Sequence, residues 1–270
     1  MTIARLDGAT RLYGIVGHPI AQARSPEVMT AWLQRTGHNA ILVPLHVPPE
    51  SFDQAMKGLM LLGNLDGLVI TVPYKARALA LADACLPMAA QVGAVNALRR
   101  NADGSWHGGI FDGTGLVGAL RAEGFEPAGR RIKMLGAGGA GSAVAIALAD
   151  ACARALDIFD TDAERAASLA RRVAGHYPAC DARVAADPAS LDGHELLINC
   201  TPIGMRPGDG MPAPFGRLDP GLFVVDIIMK PQTTPLAEHA RACGCRVMNG
   251  IPMLDRQVEA VMSFFMEQPA

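Results

Sequence analysis

The chain has 270 residues, half of them apolar, and a formal net charge of -2. Its length allows one large or two ordinary domains with a sizeable core. The charge gives no electrostatic reason to expect binding to nucleic acid or to an anionic membrane surface, since both favour a basic excess. A small-molecule substrate is therefore the default partner, and a monomer or homodimer the expected assembly.

Targeting segments and cysteine spacing indicate the cellular compartment in which the protein is expected. The sequence shows no signal-peptide segment and no run approaching the roughly twenty apolar residues that span a bilayer, which predicts a cytoplasmic protein. Its six cysteines lack paired C-x-x-C spacing, so they indicate reduced thiols rather than a disulfide framework. Cys243 and Cys245 lack a second ligand pair nearby, and no metal site is predicted.

The first hundred residues alternate strand and helix patterns. We predict strands at 12–16, 40–47 and 67–73, and helices at 25–37, 51–62 and 76–84. Ser25 before Pro26 fits a helix N-cap, and it fits a substrate contact as well; the two interpretations are compatible. Thr71 and Lys75 end the third strand at the carboxyl edge of a parallel sheet, where open α/β sheets bind ligands.

Two further candidate site residues, Asn96 and Asp112, lie between 93 and 113. The predicted elements are a short strand at 93–97, a hairpin turn at 99–104, a strand at 106–110 and a helix at 114–124. Asn96 ends the short strand, and its amide can bond a hydroxyl as donor or acceptor. Asp112 precedes the helix, so the pattern leaves open whether it is an N-cap or a functional acid.

A glycine loop follows the predicted linker at 127–131. Gly136, Gly138 and Gly141 fit G-x-G-x-x-G between a predicted strand, 132–135, and a predicted helix, 142–151. In such a loop the glycines permit a tight turn, a close approach of the backbone to a pyrophosphate, and close packing of helix on strand. Asp160 ends the next strand, 154–159, at the place of a ribose-binding acid. These features predict a Rossmann-type dinucleotide site.

The remaining elements complete a second α/β unit without a repeat of the first. They are strands at 195–199, 222–227 and 246–248, and helices at 165–174, 234–243 and 253–266. The loop from 199 to 220 is rich in glycine and proline and fits a segment that lines a site. Met253 and Gln257 lie one turn apart at the start of the last helix.

A series of motifs, in one order and over nearly the whole chain, resembles the shikimate/quinate dehydrogenase family. They are Gly17-His18-Pro19-Ile20 with Ser25-Pro26, and residues 71–75, 93–96, 112–113, 136–140, 199–205 and 250–257. The resemblance implies a two-domain α/β fold. Residues 1–112 with 249–270 would form a substrate-binding catalytic domain that includes the C-terminal helix. Residues 113–248 would form the Rossmann NAD(P)-binding domain.

The resemblance also implies roles for individual residues. Lys75 and Asp112 match the catalytic pair, which relays the hydroxyl proton while hydride leaves the carbon. The matched substrate-binding positions are Ser25, Thr71, Asn96 and Gln257. The matched cofactor-binding positions are Gly136, Gly138, Gly139, Ala140, Gly141, Asp160, Thr201 and Met253, the last beside the nicotinamide. The expected reaction interconverts a ring hydroxyl and a ketone of a shikimate- or quinate-like cyclic hydroxy acid.

Four apolar residues depart from the family's pattern near the substrate. Ala23 replaces a serine, Met229 a tyrosine, and Val69 and Ile110 replace asparagines. Each substrate group left without a partner in a closed site costs about 1–3 kcal/mol. We therefore expect weak activity on shikimate itself, or a preference for a related cyclic hydroxy acid.

The residues that follow the predicted strand at 154–159 indicate whether the cofactor is NAD or NADP. NADP-dependent members of the family carry Asn-Arg-Thr or Asn-Arg-Ser there, whereas this chain has Asp160-Thr161-Asp162. A carboxylate accepts hydrogen bonds from a free ribose 2′-hydroxyl and repels a 2′-phosphate. NAD is the expected cofactor, and Arg165 behind these residues leaves NADP as the less favoured one.

Two other functions remain as alternatives. One is a non-catalytic nucleotide-binding sensor on the same fold, which the presence of both Lys75 and Asp112 disfavours. The other is an enzyme of a different reaction on a similar scaffold, such as a folate-linked dehydrogenase. That alternative accounts for the order of the domains but not for the loop at Ser25.

Overall fold

Two compact α/β units make up the chain. The computed structural model describes residues 6–267 and divides the chain into residues up to Phe111 together with those from Val258, and residues 112–257. Each unit has a six-stranded sheet. The expected two-domain α/β fold is confirmed. Which unit binds the substrate stays a prediction.

The first unit has a mixed sheet. Its strands are β1 (Arg11–Gly17), β2 (Ala40–His46), β3 (Leu65–Ile70), β4 (Ala84–Cys85), β5 (Ala97–Arg100) and β6 (Trp106–Gly109). The strand order is β2-β1-β3-β5-β6-β4. Strands β1, β2 and β3 are parallel, and β5 is antiparallel to both β3 and β6. The carboxyl ends of β1, β3 and β6 therefore meet the start of β5 at one edge.

Short helices follow these strands. They are α1 (Ser25–Arg35), α2 (Phe52–Leu59) preceded by a 3-10 turn (Pro49–Ser51), α3 (Lys75–Leu79) and α4 (Pro87–Val92). The end of the last helix of the chain covers one sheet face, where the rings of Phe265 and Tyr13 stack 5.1 Å apart. Gly67 makes room for this contact, because a Cβ there would lie 2.9 Å from Phe265.

The second unit has a fully parallel sheet. Its strands are β7 (Arg131–Leu135), β8 (Ala155–Phe159), β9 (Asp181–Val184), β10 (Leu196–Asn199), β11 (Phe223–Asp226) and β12 (Arg246–Met248). The order is β12-β11-β10-β7-β8-β9. This is the doubly wound order of dinucleotide-binding folds, with its switch point between β7 and β10. The glycine loop after β7 and the loop after β10 therefore flank the switch point.

The helices of the second unit pack closely at glycines. They are α5 (Asp112–Ala122), α6 (Gly139–Asp150), α7 (Ala163–His176), α8 (Pro235–Ala242) and the first turns of α9 (Gly250–Met266). Helix α5 touches α6 at Gly113, where a Cβ would lie 2.2 Å from the Ala143 carbonyl oxygen. Because of this packing α5 belongs to the second unit, and the predicted linker at 127–131 lies inside that unit.

The first turns of α9 also belong to the second unit. The resemblance to the family implies instead that residues 249–270 all join the first domain. Gly115 of α5 explains the difference. A Cβ there would lie 2.7 Å from the Met253 carbonyl oxygen and 2.9 Å from the Gln257 Cβ. Helix α9 thus begins against α5 and ends in the first unit.

Several element boundaries differ from the sequence prediction. The predicted helix 76–84 ends at Leu79, and the unpredicted β4 and α4 follow it. Gly93 is not in a strand but ends α4 with φ 72°, a left-handed conformation that glycine adopts without strain. Strand β5 continues to Arg100, so the hairpin turn starts later than predicted. Strand β9 was missed because it has only four residues, which are mostly exposed, so its short polar–apolar alternation gives a weak signal.

Within residues 6–267 no helix is long and apolar enough to cross a bilayer. The same part of the chain has no group of three or more His, Cys, Asp or Glu side chains placed to hold a metal ion. All six cysteines lie in the described residues and are free thiols. Cys180 and Cys245 are buried, while Cys152 is exposed.

Candidate active site

Predicted substrate residues gather at one edge of the first sheet. The Thr71 N–H donates to the Val16 carbonyl at 3.0 Å, and the Ile70 N–H donates to the Asn96 carbonyl at 2.8 Å. The Asn96 N–H donates to the Gly109 carbonyl at 2.8 Å. Thr71 and Asn96 are thus neighbours at the carboxyl ends of β1, β3 and β6.

The side-chain amide of Asn96 makes only part of its possible hydrogen bonds to the residues that the structure describes. Its side chain is buried, with the residue only 1% exposed, and its Oδ1 accepts the Phe111 N–H at 3.0 Å. Among the described residues, Nδ2 has no hydrogen-bond partner. A buried donor left unpaired costs about 1–3 kcal/mol, so the Asn96 amide is oriented to donate to a group that the protein does not supply.

Lys75 opens α3 at the same edge. Its carbonyl accepts the Val95 N–H at 2.9 Å, which ties the start of α3 to the segment before Asn96. The preceding Tyr74 is buried, stacks on Phe52 and donates its hydroxyl to the Val47 carbonyl at 2.5 Å. These contacts fix the backbone that carries Lys75.

Ser25 is the first residue of α1 and is buried. The prediction that it caps this helix is wrong. Arg24 occupies the N-cap position, with αR backbone angles, and no side-chain capping bond forms there. The Ser25 hydroxyl is therefore not used for capping, and the interpretation as a substrate contact stays a prediction.

The four apolar residues that depart from the family's pattern lie in different parts of the structure. Val69 lies in β3 and Ile110 follows β6, and both are buried. Ala23 precedes α1 and is half-buried. In the second unit Met229 lies against Gly250, where a Cβ would be 3.0 Å from the Met229 Cγ. None of these four side chains has a polar group to offer a ligand.

A second group of predicted residues meets where α5 and α9 begin. The Gln257 Nε2 donates to the Asp112 Oδ1 at 3.1 Å, and Met253 is buried one turn before Gln257. Asp112 is itself the first residue of α5 and is buried. This hydrogen bond helps to orient the Asp112 carboxylate. Asp112 follows directly in the chain after Phe111, whose N–H the Asn96 side chain accepts.

The glycine loop has the geometry that its spacing predicts. Gly136 has φ +96°, and a Cβ on it would lie 2.9 Å from the Cys200 carbonyl carbon. A Cβ on Gly141 would lie 2.1 Å from the Gly136 carbonyl oxygen. By contrast, nothing lies within 4 Å of a Cβ at Gly138 or Gly139. Helix α6 begins at Gly139, three residues earlier than predicted, and no side chain caps it. Its first N–H groups are suited to a phosphate.

Two carboxylates and one guanidinium lie beyond β8. The Asp160 Oδ2 accepts the Ala137 N–H at 2.7 Å, which links it to the glycine loop, and its Oδ1 accepts the Asp162 N–H at 2.9 Å. Asp162 caps α7 by accepting the Arg165 N–H at 3.1 Å. The Arg165 guanidinium lies 3.8 Å from Asp160 and 3.5 Å from Asp162.

Buried polar residues that the sequence did not identify support Thr201. The Asn199 Oδ1 accepts the Thr201 N–H at 3.0 Å and its hydroxyl at 2.7 Å. Asn199 in turn donates to Asp226, which also accepts the Thr234 hydroxyl. Burial raises the pKa of Asp226, although these hydrogen bonds act in the opposite direction. Asp226 is the last residue of β11, and its only signal in the sequence was an acidic side chain in an apolar run.

Comparison of the sequence with known proteins identifies the family to which the chain is similar. Residues 15–98 match the model of the shikimate dehydrogenase substrate binding domain. The chain is 38% identical over 260 residues to shikimate dehydrogenase (NADP(+)) of Rubrobacter xylanophilus, covering 94% of this chain and 90% of that protein.

Solved structures give the same result. Shikimate 5-dehydrogenase from Listeria monocytogenes, in complex with shikimate and NAD, has a TM-score of 0.90 and 28% identity, with 99% of this chain and 96% of that chain covered. The 5-ketofructose reductase of a Gluconobacter strain has a TM-score of 0.85 and 28% identity, with 95% and 93% covered.

A doubly wound sheet with a glycine loop at its switch point, in a chain so similar to these enzymes, defines an NAD(P)-dependent dehydrogenase. The chain belongs to the shikimate dehydrogenase family.

Proposed function

We propose that this chain is an NAD-dependent dehydrogenase that interconverts a ring hydroxyl and a ketone of a shikimate- or quinate-like cyclic hydroxy acid. The observation that carries the proposal is the buried Asn96 Nδ2, which has no partner in the described residues and lies beside Thr71 at a sheet edge. A ring hydroxyl of the substrate would accept from it. Ser25 and Gln257 supply further polar contacts to the ring hydroxyls or the carboxylate.

We assign the proton transfer to Lys75 and Asp112. Bound NAD supplies the hydride acceptor for the reaction. Lys75 takes the hydroxyl proton as the carbonyl forms and returns it in the reverse direction. The Asp112 carboxylate, held in one orientation by Gln257 at 3.1 Å, accepts a hydrogen bond from the reacting side of the ring and relays the proton with Lys75.

The residues of the glycine loop fit a dinucleotide. The open space around Gly138 and Gly139 leaves room for a pyrophosphate, and the uncapped start of α6 offers its N–H groups. Met253 would pack beside the nicotinamide, and Thr201 would contact the cofactor from the loop after β10. These contacts are common to NAD and NADP.

We further propose NAD over NADP, although the Rubrobacter relative carries NADP(+) in its name. Asp160 and Asp162 would bring two negative charges close to a 2′-phosphate, and both lie close to the Arg165 guanidinium. A guanidinium engaged by two carboxylates offers little to a phosphate, whereas the Asp160 oxygens still have lone pairs for ribose hydroxyls. The Listeria structure shows that NAD binds to an enzyme of this fold.

A second substrate class has specific support. The similarity to a 5-ketofructose reductase coincides with the apolar residues Ala23, Val69 and Met229, which remove donors that a substrate carboxylate would use. A ketose or polyol without a carboxylate would not need them. It is the alternative substrate for the same reaction.

A substrate panel tests the proposal. The wild-type protein is assayed for NADH formation with shikimate, quinate and cyclic analogues without the carboxylate, and for NADH consumption with 5-ketofructose. We expect oxidation of at least one cyclic hydroxy acid, with a kcat/KM for shikimate below that for the best substrate. Turnover confined to ketoses would favour the second class. No turnover with any substrate, despite cofactor binding, would instead support a sensor.

The cellular context stays a proposal as well. We expect a cytoplasmic enzyme that acts as a monomer or a homodimer. Cell fractionation and light scattering of the purified protein test the two statements, and a stable larger oligomer would contradict the second.

A further inference from the structure

A line of buried hydrogen bonds connects helix α8 to the loop after β10. The Thr234 Oγ1 accepts the Ala237 N–H at 3.2 Å, which caps α8, and donates to the Asp226 Oδ2 at 2.6 Å. The Asp226 Oδ1 accepts from the Asn199 Nδ2 at 3.1 Å. The Asn199 Oδ1 then accepts from both the N–H and the hydroxyl of Thr201. Thr234, Asp226 and Asn199 are buried.

We propose that Asp226 and Thr234 are positioning residues, which fix the loop that carries Thr201 and thereby set the affinity for the nicotinamide cofactor. This role rests on the proposed function, in which Thr201 contacts the cofactor. Asp226 and Thr234 act through Asn199.

Asp226 determines which end of the Asn199 amide donates a hydrogen bond and which end accepts. A carboxylate only accepts hydrogen bonds, so it requires the amide nitrogen of Asn199 to face it. The Asn199 oxygen must then face Thr201, where it accepts two hydrogen bonds. An amide at position 226 would allow Asn199 to turn over and present its NH2 group to the Thr201 N–H. The Asp226 carboxylate therefore selects one of two orientations of Asn199, together with the Ile203 carbonyl, which accepts from the same Nδ2 at 3.2 Å.

Thr234 keeps Asp226 in place. Its hydroxyl donates to one carboxylate oxygen, while the Ile228 N–H and Asn199 donate to the other. Burial makes this carboxylate unfavourable, as the raised pKa of Asp226 indicates, and a well-packed apolar side chain would fill the place without that cost. A role in orienting Asn199 explains why a carboxylate is present.

The loop after β10 also supports the glycine loop. A Cβ on Gly136 would lie 3.0 Å from the Thr201 nitrogen and 2.9 Å from the Cys200 carbonyl carbon, so the two backbones are in close contact. A displacement of Thr201 therefore disturbs the turn at Gly136. Loss of the hydrogen bonds should weaken cofactor binding more than substrate binding.

The test compares Thr234→Val with Thr234→Ser. Thr234 lies two hydrogen bonds away from Asn199 and outside the proposed contacts to cofactor or substrate. Thr234→Val removes the donor to Asp226, and we expect the KM for NAD to rise about tenfold, while kcat and the substrate KM stay within about twofold. Thr234→Ser keeps the hydroxyl and should restore the KM for NAD. Fluorescence titration with NADH measures the affinity directly.

Leu169→Ala is the matched control for a general loss of stability. Leu169 is buried in α7, away from the hydrogen-bond line, so its truncation should lower Tm without changing the KM for NAD. If Thr234→Val does not fold, Asp226→Asn replaces it, with the same expected rise.

Three outcomes contradict the inference. They are a folded Thr234→Val or Asp226→Asn protein with the wild-type affinity for NADH, an equal loss of affinity in Leu169→Ala, and a failure of Thr234→Ser to restore affinity. Failure of the proposed function is seen separately, because the wild-type protein would then neither bind NADH nor turn over substrate.

Discussion

Single residues at the carboxyl edge of the first sheet determine what this site can bind. Within residues 6–267 the Asn96 Nδ2 has no hydrogen-bond partner, whereas Val69 and Ile110 are buried and apolar where the family has asparagines. In the proposed site, Asn96 would keep a donor for a substrate hydroxyl, whereas the amide donors at 69 and 110 are absent. This difference predicts altered substrate preference with the chemistry retained.

Loss of the Lys75 amine should abolish proton transfer. For Lys75→Ala we expect kcat to fall by about 10²- to 10⁴-fold, because a positioned acid or base contributes about that much. NADH affinity should stay at the wild-type value. Steady-state kinetics and NADH titration measure the two quantities.

Arg77→Ala is the control for loss of a positive charge in the same helix. Arg77 is exposed and pairs with Asp53, so its removal should leave kcat nearly unchanged. Equal losses in the Lys75 and Arg77 variants, or a Lys75→Ala enzyme of normal rate, would exclude Lys75 as the proton carrier.

The charge of Asp162 should discriminate between the cofactors. Asp162→Asn removes one negative charge and loosens the hold on Arg165, while asparagine still caps α7. We expect kcat/KM for NADP to rise about three- to tenfold and that for NAD to change less.

Glu164→Gln is the matched variant, since Glu164 is an exposed acid of the same helix and pairs with Arg171. It should change neither cofactor's kinetics. A similar gain for NADP in both variants would mean that the overall charge of the region matters rather than Asp162.

At the scale of elements, close backbone packing at glycines positions α6 against its strand. Gly141→Ala would place a Cβ 2.1 Å from the Gly136 carbonyl oxygen. Because the neighbour is backbone and cannot turn aside, we expect a loss of about 1–3 kcal/mol in the free energy of unfolding, and weaker cofactor binding. Denaturant unfolding measures the first and NADH titration the second.

A glycine-to-alanine substitution in α7 should instead increase the free energy of unfolding. Nothing lies within 4 Å of a Cβ at Gly175, so Gly175→Ala should stabilise the protein by about 0.5–1 kcal/mol through helix propensity. If both alanine variants were equally stable, the close packing of α6 on the glycine loop would be wrong.

The stability of the whole molecule should depend on pH through buried charges of the second unit. Asp157 of β8 is bound by Arg131 and His194 at 2.7 and 2.6 Å. Burial raises the pKa of Asp157, but the hydrogen bonds from Arg131 and His194 outweigh it and hold the pKa below its ordinary value. Asp157 is therefore protonated more readily in the unfolded chain than in the folded one. Its contribution to the free energy of unfolding is complete above about pH 4 and is lost as the pH falls through the pKa that Asp157 has in the folded protein.

Asp157→Asn tests this dependence. The free energy of unfolding of the variant should fall by about 3 kcal/mol at pH 7, because Arg131 and His194 would no longer face a negative charge. Its Tm should also fall less steeply than the wild-type Tm between pH 5 and pH 3. A parallel fall of the two Tm curves would show that other carboxylates dominate the acid transition.

The order of strands and helices was predictable where signals are local. Residues 132–141 combine a buried strand, spaced glycines and a helix, and each requirement is met within a few residues. Predictions failed where tertiary contacts decide. Asp181 to Val184 form a strand because they pair with β8, and Ala84 leaves the predicted helix at 76–84 because it pairs with β6.

The candidate site was predictable only in part, for the same reason. Motif positions such as Lys75, Asp112 and Asp160 follow strand ends or open helices, so their sequence context identifies them. The supporting residues are different. Asp226 and Thr234 act through hydrogen bonds between separate elements, and no spacing in the sequence indicates these bonds.

The most direct test of the central claim is the ratio of kcat/KM for NAD to that for NADP, measured by reduced-cofactor absorbance with the best cyclic hydroxy acid. We predict turnover well above background with both cofactors, and a ratio clearly above one. A ratio below one would contradict the role of Asp160 and Asp162, and no turnover with either cofactor would contradict the proposed enzyme.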